Sequence, residues 1–271
     1  MALSTLRSLL PCLALAALGL GASSANAQSG PRSAGPADPS LIQDLIAANR
    51  TLARYGIVDA YGHVSVRHDK DPNRFLMAGA RAPELVSEAD IIEYDLDAVP
   101  VSLNGRSQYS ERYIHAMIYK ARPDVTSVVH NHSPSVIPFG VSSVPIKPVY
   151  HMAGFIGEGL PIYDIREVSG MTEMLVNSAE RGSALAAELG DGPAVLMRGH
   201  GVAVVGPDLK HAVGRSIYLE VNASIQLQAI ALGGDVAYLS PDEAAMVVAT
   251  GENQGYTRPW ELWKTHALAT R

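Results

Sequence analysis

His130 and His132 stand two residues apart in the stretch Val128-Val129-His130-Asn131-His132-Ser133. Alternate side chains of an extended strand share a face, so the two imidazoles leave together while Asn131 turns the other way. Two neutral imidazoles in that relation form a clamp for a transition-metal ion. The pair alone does not decide the matter, since nine histidines in 271 residues can also meet as structural side chains. Two further residues extend the set. His200 lies between Gly199 and Gly201 where two apolar runs join, a place where backbone approaches closely and a side chain can be presented into a site. Glu111, 19 residues before His130, opens a helical pattern whose first turn favours a carboxylate, which offers an oxygen ligand or a base.

The elements that must hold these residues follow from local pattern. Residues 125–129 have the β-branched content of a buried strand, and Pro134 cannot continue its ladder, so the histidine pair sits near a strand end. Residues 110–122 read as a helix capped by Ser110, with Ile114, Met117 and Ile118 inward and Pro123 as its stop. Upstream, Ser40 is placed to cap a helix ending near Gly56, and residues 59–67 turn into an alternating strand paired with residues 75–77. Short strands are expected at 91–96, 194–197 and 202–205, helices at 173–189 and 209–232, and a Pro-rich, site-lining segment at 134–161. The pattern is α/β or α+β, strands sandwiched by helices.

Composition bounds the setting. Arg7, a short apolar run and Ala25-Asn26-Ala27 make residues 1–27 a secretory signal peptide, and the apolar run is too short for a spanning helix. Removing 27 of 271 residues leaves 244. It removes one cation and no acid, which takes the formal charge from −6 to −7. The mature chain has no cysteine, in keeping with a secreted, periplasmic location. No basic cluster points to nucleic acid or to an anionic membrane surface. Residues 28–38 are small, polar and rich in Pro and Gly and read as a flexible leader; residues 39–271 then form a single domain.

The joint order and spacing of Glu111, His130-Asn131-His132-Ser133, Gly62-x-Val64-Ser65-x-Arg67 and His200-Gly201 resemble the class II aldolase/adducin family over residues 40–240. The resemblance implies a three-layer α/β/α sandwich around a mainly antiparallel sheet. It also implies one divalent ion per subunit held by Glu111, His130, His132 and His200, and a homotetramer with active sites at subunit interfaces. The ligand types suit Zn²⁺, Mn²⁺ or Fe²⁺ without choosing among them. The shared chemistry is Lewis-acid stabilisation of an enolate-like charge.

Sugar-phosphate members of that family hold phosphate with an Asn in a G-N-x-S segment, a small Ser/Thr-Gly loop and a Ser-Ser pair. Here His63 replaces the Asn, residues 77–84 replace the loop, and Tyr109-Ser110 precedes Glu111. The phosphate cradle is largely missing, and Arg81 offers a planar fork suited to a carboxylate instead. Residues 62–67, 81–86, 109–112, 133–140, 151–155 and 196–201 resemble the aromatic hydroxycarboxylate decarboxylase branch. That resemblance implies a non-oxidative decarboxylase acting on a small-molecule carboxylate. Glu111 would be its catalytic residue, with His63, Arg81, Ser110, His151 and Arg198 at the substrate. Other readings of the same site are an aldolase or epimerase on an unphosphorylated substrate, an Fe²⁺ oxygenase, and a non-catalytic adducin-like interaction domain. Among the single residues, Arg81 and Arg198 have the alternative of surface or subunit-interface ion pairs, and His63 that of a hydrogen-bonded core residue. His115 reads as packing or support for the site, His68, His211 and His266 as solvated, and the Trp260/Trp263 tail as a subunit contact or a cover for the pocket.

Overall fold

The computed structural model describes residues 30–251 and 256–269; the leader expected over residues 1–27 lies outside them. Seven strands form one sheet: β1 (His63–Arg67), β2 (Arg74–Ala78), β3 (Ile91–Asp95), β4 (Ser127–Asn131), β5 (Ile162–Tyr163), β6 (Ala194–Met197) and β7 (Gly201–Gly206). Their order is β3-β2-β1-β4-β7-β6-β5, so the histidine-bearing β4 lies at the centre. All neighbouring pairs are antiparallel except β5 with β6. Around the sheet lie α1 (Pro39–Arg54), α2 (Arg112–Ala121), α3 (Arg166–Ser169), α4 (Ala179–Leu189), α5 (Leu209–Ala231), α6 (Pro241–Gly251) and α7 (Thr257–Leu268). None of the described helices is long and apolar enough to cross a membrane.

The strands divide their side chains between two cores, because alternate residues point to opposite faces. Val64, Val66, Val129, Val202 and Val204 meet α1, α5 and α7 on one face through Leu45, Leu52, Ile217 and Trp260. Val128, Ala203 and Val205 meet α2 and α4 on the other through Ile114, Ile118 and Leu185. The result is the expected α/β/α sandwich. His130 follows Val129 on β4 and therefore shares the face of Val128, towards α2.

Several boundaries differ from the sequence reading for local reasons. Asp38, not Ser40, caps α1: its carboxylate accepts from Ser40 N–H at 2.7 Å, and Pro39 takes the first helical position. The helix after Glu111 begins at Arg112 with no side-chain cap from Ser110. Residues 173–178 are not helical. Met174 has φ of 69°, and Ser178 starts α4 by accepting from Arg181 N–H. Two-residue β5 and the helix α6 carry too little local pattern to be read from sequence.

The segment read as a flexible leader is tied down from residue 32 on, where the Arg74 guanidinium donates to Arg32 O at 2.9 Å. Ser33 Oγ and Ala34 N–H donate to the Glu93 carboxylate on β3 at 2.5 and 2.7 Å. His68, expected in solvent, is buried, its Nε2 3.1 Å from Gly35 O. Trp260 and Trp263 are buried within their own chain against α1 and α5, with Trp263 Nε1 donating to Tyr55 OH at 3.0 Å, rather than over the pocket.

Candidate metal centre and active-site cavity

Three neighbouring pieces of the sheet bring the imidazoles together. His63 on β1 is the direct cross-strand partner of His130 on β4, and His130 is paired in turn with Ala203 on β7. His132 lies just past the end of β4. His200 sits on the turn between β6 and β7, where Gly199 adopts φ of 64°. Ring centroids of His130, His132 and His200 are 5.0–5.1 Å apart, and their donor nitrogens lie within 4.8 Å of one another. Glu111 comes in from the start of α2. Its Oε2 is 3.8 Å from His130 Nε2 and 3.6 Å from His200 Nε2, while Oε1 accepts from Val176 N–H at 2.9 Å.

Hydrogen bonding fixes which nitrogens face the centre. His130 Nδ1 is 3.2 Å from Val202 O and His200 Nδ1 is 3.1 Å from Met174 O. A carbonyl only accepts, so in each neutral ring Nδ1 carries the proton and Nε2 carries the lone pair. The Nε2 atoms of His130 and His132 are buried and have no hydrogen-bond partner. Buried polar atoms are rarely left so, and two convergent imidazole nitrogens beside a carboxylate are the donor set a divalent cation takes. Burial and the neighbouring imidazoles hold His130 and His63 well below the ordinary histidine range, and burial followed by His200 lowers His132. The rings are therefore neutral at pH 7, the form that ligates metal. Burial raises the Glu111 carboxyl, with His200 and the Val176 N–H opposing it.

The centre opens into a cavity of ≈ 450 Å³. His63, Glu111, His132 and His200 line it, with Arg81, Ser110, Gln108 and Tyr109 among the other walls. Tyr109 accepts from Arg81 N–H at 3.3 Å, donates to Arg81 O, and packs on the His63 ring at 4.7 Å. It thereby seats the loop that carries the guanidinium. Arg81 Nε reaches Leu85 O at 3.5 Å, while the guanidinium's terminal nitrogens make no hydrogen bond among the described residues.

Seven of the nine expected site residues are thus brought together: Glu111, His130, His132 and His200, with His63, Arg81 and Ser110 in the cavity wall. Two are not. His151 is exposed at the start of a 3₁₀ segment, edge-on to Tyr150, and does not line the cavity. Arg198 is also outside the cavity, its Nε 2.9 Å from Asp164 Oδ2. Asp164, held well below the usual carboxylate range by Arg166 and then by Arg198, is 34 positions distant in sequence, and no local pattern announces it. Gln108 and Tyr109 were not singled out from sequence, although Tyr109 belongs to the stretch that leads into Glu111.

The profile of class II aldolase and adducin N-terminal domains matches residues 43–227. Decarboxylase tropJ of Talaromyces stipitatus is 34% identical over 245 residues, covering 82% of this chain and 92% of its own. A 3,4-dihydroxyphthalate decarboxylase of Arthrobacter keyseri is 27% identical over 240 residues, covering 83% and 91%. An aldolase II superfamily protein of Pseudomonas syringae superimposes with a TM-score of 0.72 at 23% identity, covering 86% and 94%, and shares the fold.

Proposed function

The chain belongs to the class II aldolase and adducin family, and on that premise we propose that it is a divalent-metal-dependent, non-oxidative decarboxylase of a hydroxylated aromatic carboxylic acid. The observation that carries the reading is the meeting, in one cavity, of a neutral imidazole and carboxylate cluster with the Arg81 guanidinium. The names of the decarboxylase relatives support it.

His130, His132, His200 and Glu111 would hold one Zn²⁺, Mn²⁺ or Fe²⁺ per subunit. When bound, the ion supplies Lewis-acid stabilisation of negative charge on a substrate oxygen. The chain's own residues do the rest. Arg81 receives the substrate carboxylate through its free terminal N–H groups, and His63 and Ser110 orient the ring. A proton adds to the ring carbon that bears the carboxylate. The C–C bond then breaks, its electron pair returns to the ring, and CO₂ departs. Glu111 either completes the ligand set or carries that proton. Glu111→Gln separates the two roles: loss of the ion marks ligation, and lost turnover with the ion retained marks proton delivery.

Incubating the protein with a panel of hydroxylated benzene and pyridine carboxylic acids tests the proposal. Release of CO₂ without consumption of O₂ is the expected result. O₂ uptake would establish an oxygenase, carbonyl products an aldolase, and absence of any bound ion after reconstitution would end every enzymatic reading. We infer also that the chain is exported after removal of residues 1–27 and works as a homotetramer with cavities at subunit interfaces. N-terminal sequencing and light scattering of the mature protein test these two points.

A further inference from the structure

Residues 170–178 cross from α3 to α4 without helix or strand, yet they meet the centre twice. Met174 O is 3.1 Å from His200 Nδ1, Val176 N–H donates to Glu111 Oε1 at 2.9 Å, and Leu175 between them lines the cavity. Met174 stands at φ of 69°, a conformation that a long side chain keeps only where its surroundings impose it. The buried Val176 side chain pins one point of the segment in the core shared with α2 and α4. Arg181, in the first turn of α4, holds the rest.

Arg181 Nε donates to Ser169 Oγ at 3.1 Å. Its Nη1 lies 2.7 Å from Glu173 Oε1, 2.7 Å from Leu175 O and 3.0 Å from Asn177 Oδ1. Asn177 Nδ2 in turn donates to Glu173 Oε1 at 2.7 Å, which closes the network. A cation in the first turn works against the helix dipole, so α4 itself gains nothing from Arg181. Its four acceptors in the preceding segment account for its place.

One peptide group carries the hold through to the centre. Leu175 O and Val176 N–H belong to the same trans peptide, in which C=O and N–H point in opposite directions. Gripping the oxygen from α4 therefore turns the N–H towards Glu111. With Oε1 so occupied, Oε2 is the oxygen that lies 3.6 Å from His200 Nε2 and 3.8 Å from His130 Nε2. The guanidinium also polarises this peptide, which strengthens its N–H as a donor to the carboxylate. The neighbouring peptide supplies the Met174 oxygen that fixes the His200 ring.

We propose that Arg181 is a positioning residue of the metal centre: through the 175–176 peptide it sets the orientation of the Glu111 carboxylate, and through the same segment it backs His200. It does not line the cavity. The ion half of this statement rests on the reading of Glu111 and His200 as ligands; the hold on the peptide does not.

Zn²⁺ titration and amide exchange of the metal-free protein, parent against variants, test the assignment. Arg181→Met keeps an unbranched stem and removes every donor. It is expected to weaken Zn²⁺ binding about 10–100-fold, the usual cost of an outer partner of a metal ligand. It is also expected to speed exchange at the Val176 amide while the β4 amides stay as protected as in the parent. Parent-like affinity, or a Val176 amide that exchanges at the parent's rate, overturns the proposal. Ser169→Ala cuts only the Nε bond and is expected to keep the parent's affinity; a loss equal to that of Arg181→Met would overturn the route through the peptide. Should Arg181→Met fail to fold, Arg181→Lys, a point charge without the fork, carries the same test. Weaker Zn²⁺ binding and faster Val176 exchange are expected there too, and parent values for either overturn the proposal. A parent that takes up no Zn²⁺ would remove the ion reading, and Val176 exchange in the metal-free proteins would still decide whether Arg181 holds the peptide.

Discussion

Gly201, the first residue of β7, is the point where the centre is most sensitive to a single atom. A Cβ placed there would lie 2.1 Å from Asn131 O and 3.0 Å from His132 Cδ2. The backbone of Gly201 does not require the left-handed region, so an added methyl group is opposed by space alone. Restoring an ordinary contact to the carbonyl demands that β4 and β7 part by about 1 Å, since a close-packed interior has no slack to absorb it. Overpacking of that size costs about 1–3 kcal/mol, which lowers Tm by roughly 2–12 °C in a chain of this length. The same movement shifts His132 against His200, and a 1 Å misplacement in a site can cost on the order of 100-fold in rate. Gly201→Ala is therefore expected to lose both stability and ion affinity. The comparison is Gly105→Ala, where φ is +78° but nothing lies within 4 Å of the added carbon. That variant is expected to lose stability through strain while keeping its ion. Thermal unfolding and metal analysis of the two proteins decide the matter. A Gly201→Ala protein that keeps the parent's ion affinity would refute the idea that the β4–β7 contact sets the centre's geometry.

His132→Ala is expected to lose ion affinity by more than the roughly 10–100-fold that an outer partner is worth, with circular dichroism unchanged; full ion content would remove His132 from the ligand set. Arg81→Ala is expected to raise KM for a carboxylate substrate about 10–100-fold, the worth of a charge-assisted hydrogen bond, with Arg81→Lys recovering only part; an unchanged KM would mean that the guanidinium faces solvent. Stability is expected to fall on acidification. Burial lowers His115 from 6.5 to about 3, so between those values the unfolded chain binds a proton that the native chain does not. The loss amounts to at most about 1.4 kcal/mol per pH unit for that histidine, and His63 and His130 act in the same direction. Urea unfolding at pH 7.5 and 5.5 measures it, and equal or greater stability at the lower pH would contradict the burial of these rings.

What sequence could reveal was decided by how local each cause is. The spacing of His130 and His132 and the placing of His200 between glycines transferred directly to the structure, because strand periodicity and a tight turn are written in adjacent residues. Glu111 could be placed because it leads the helix that precedes β4. His63 is the hydrogen-bonded buried ring of one of its sequence readings, and it also lines the cavity. Arg198 did not follow its neighbour His200 into the cavity, since an aspartate distant in sequence pairs with its guanidinium. His68 was misjudged for a similar reason, as its cover comes from residue 35 on a segment whose composition suggested no order.

The seven-strand order has a consequence for how the centre exchanges its ion. β4 is paired along both edges, so His130 can leave its position only if the most protected part of the sheet opens. His200 hangs on a short turn at the end of a hairpin, backed by the Met174 carbonyl. A chelator should therefore strip the protein at a pace set by that hairpin tip, far faster than global unfolding. Amide exchange at residues 198–200 would report the same rate, with the strand on which His130 sits still silent.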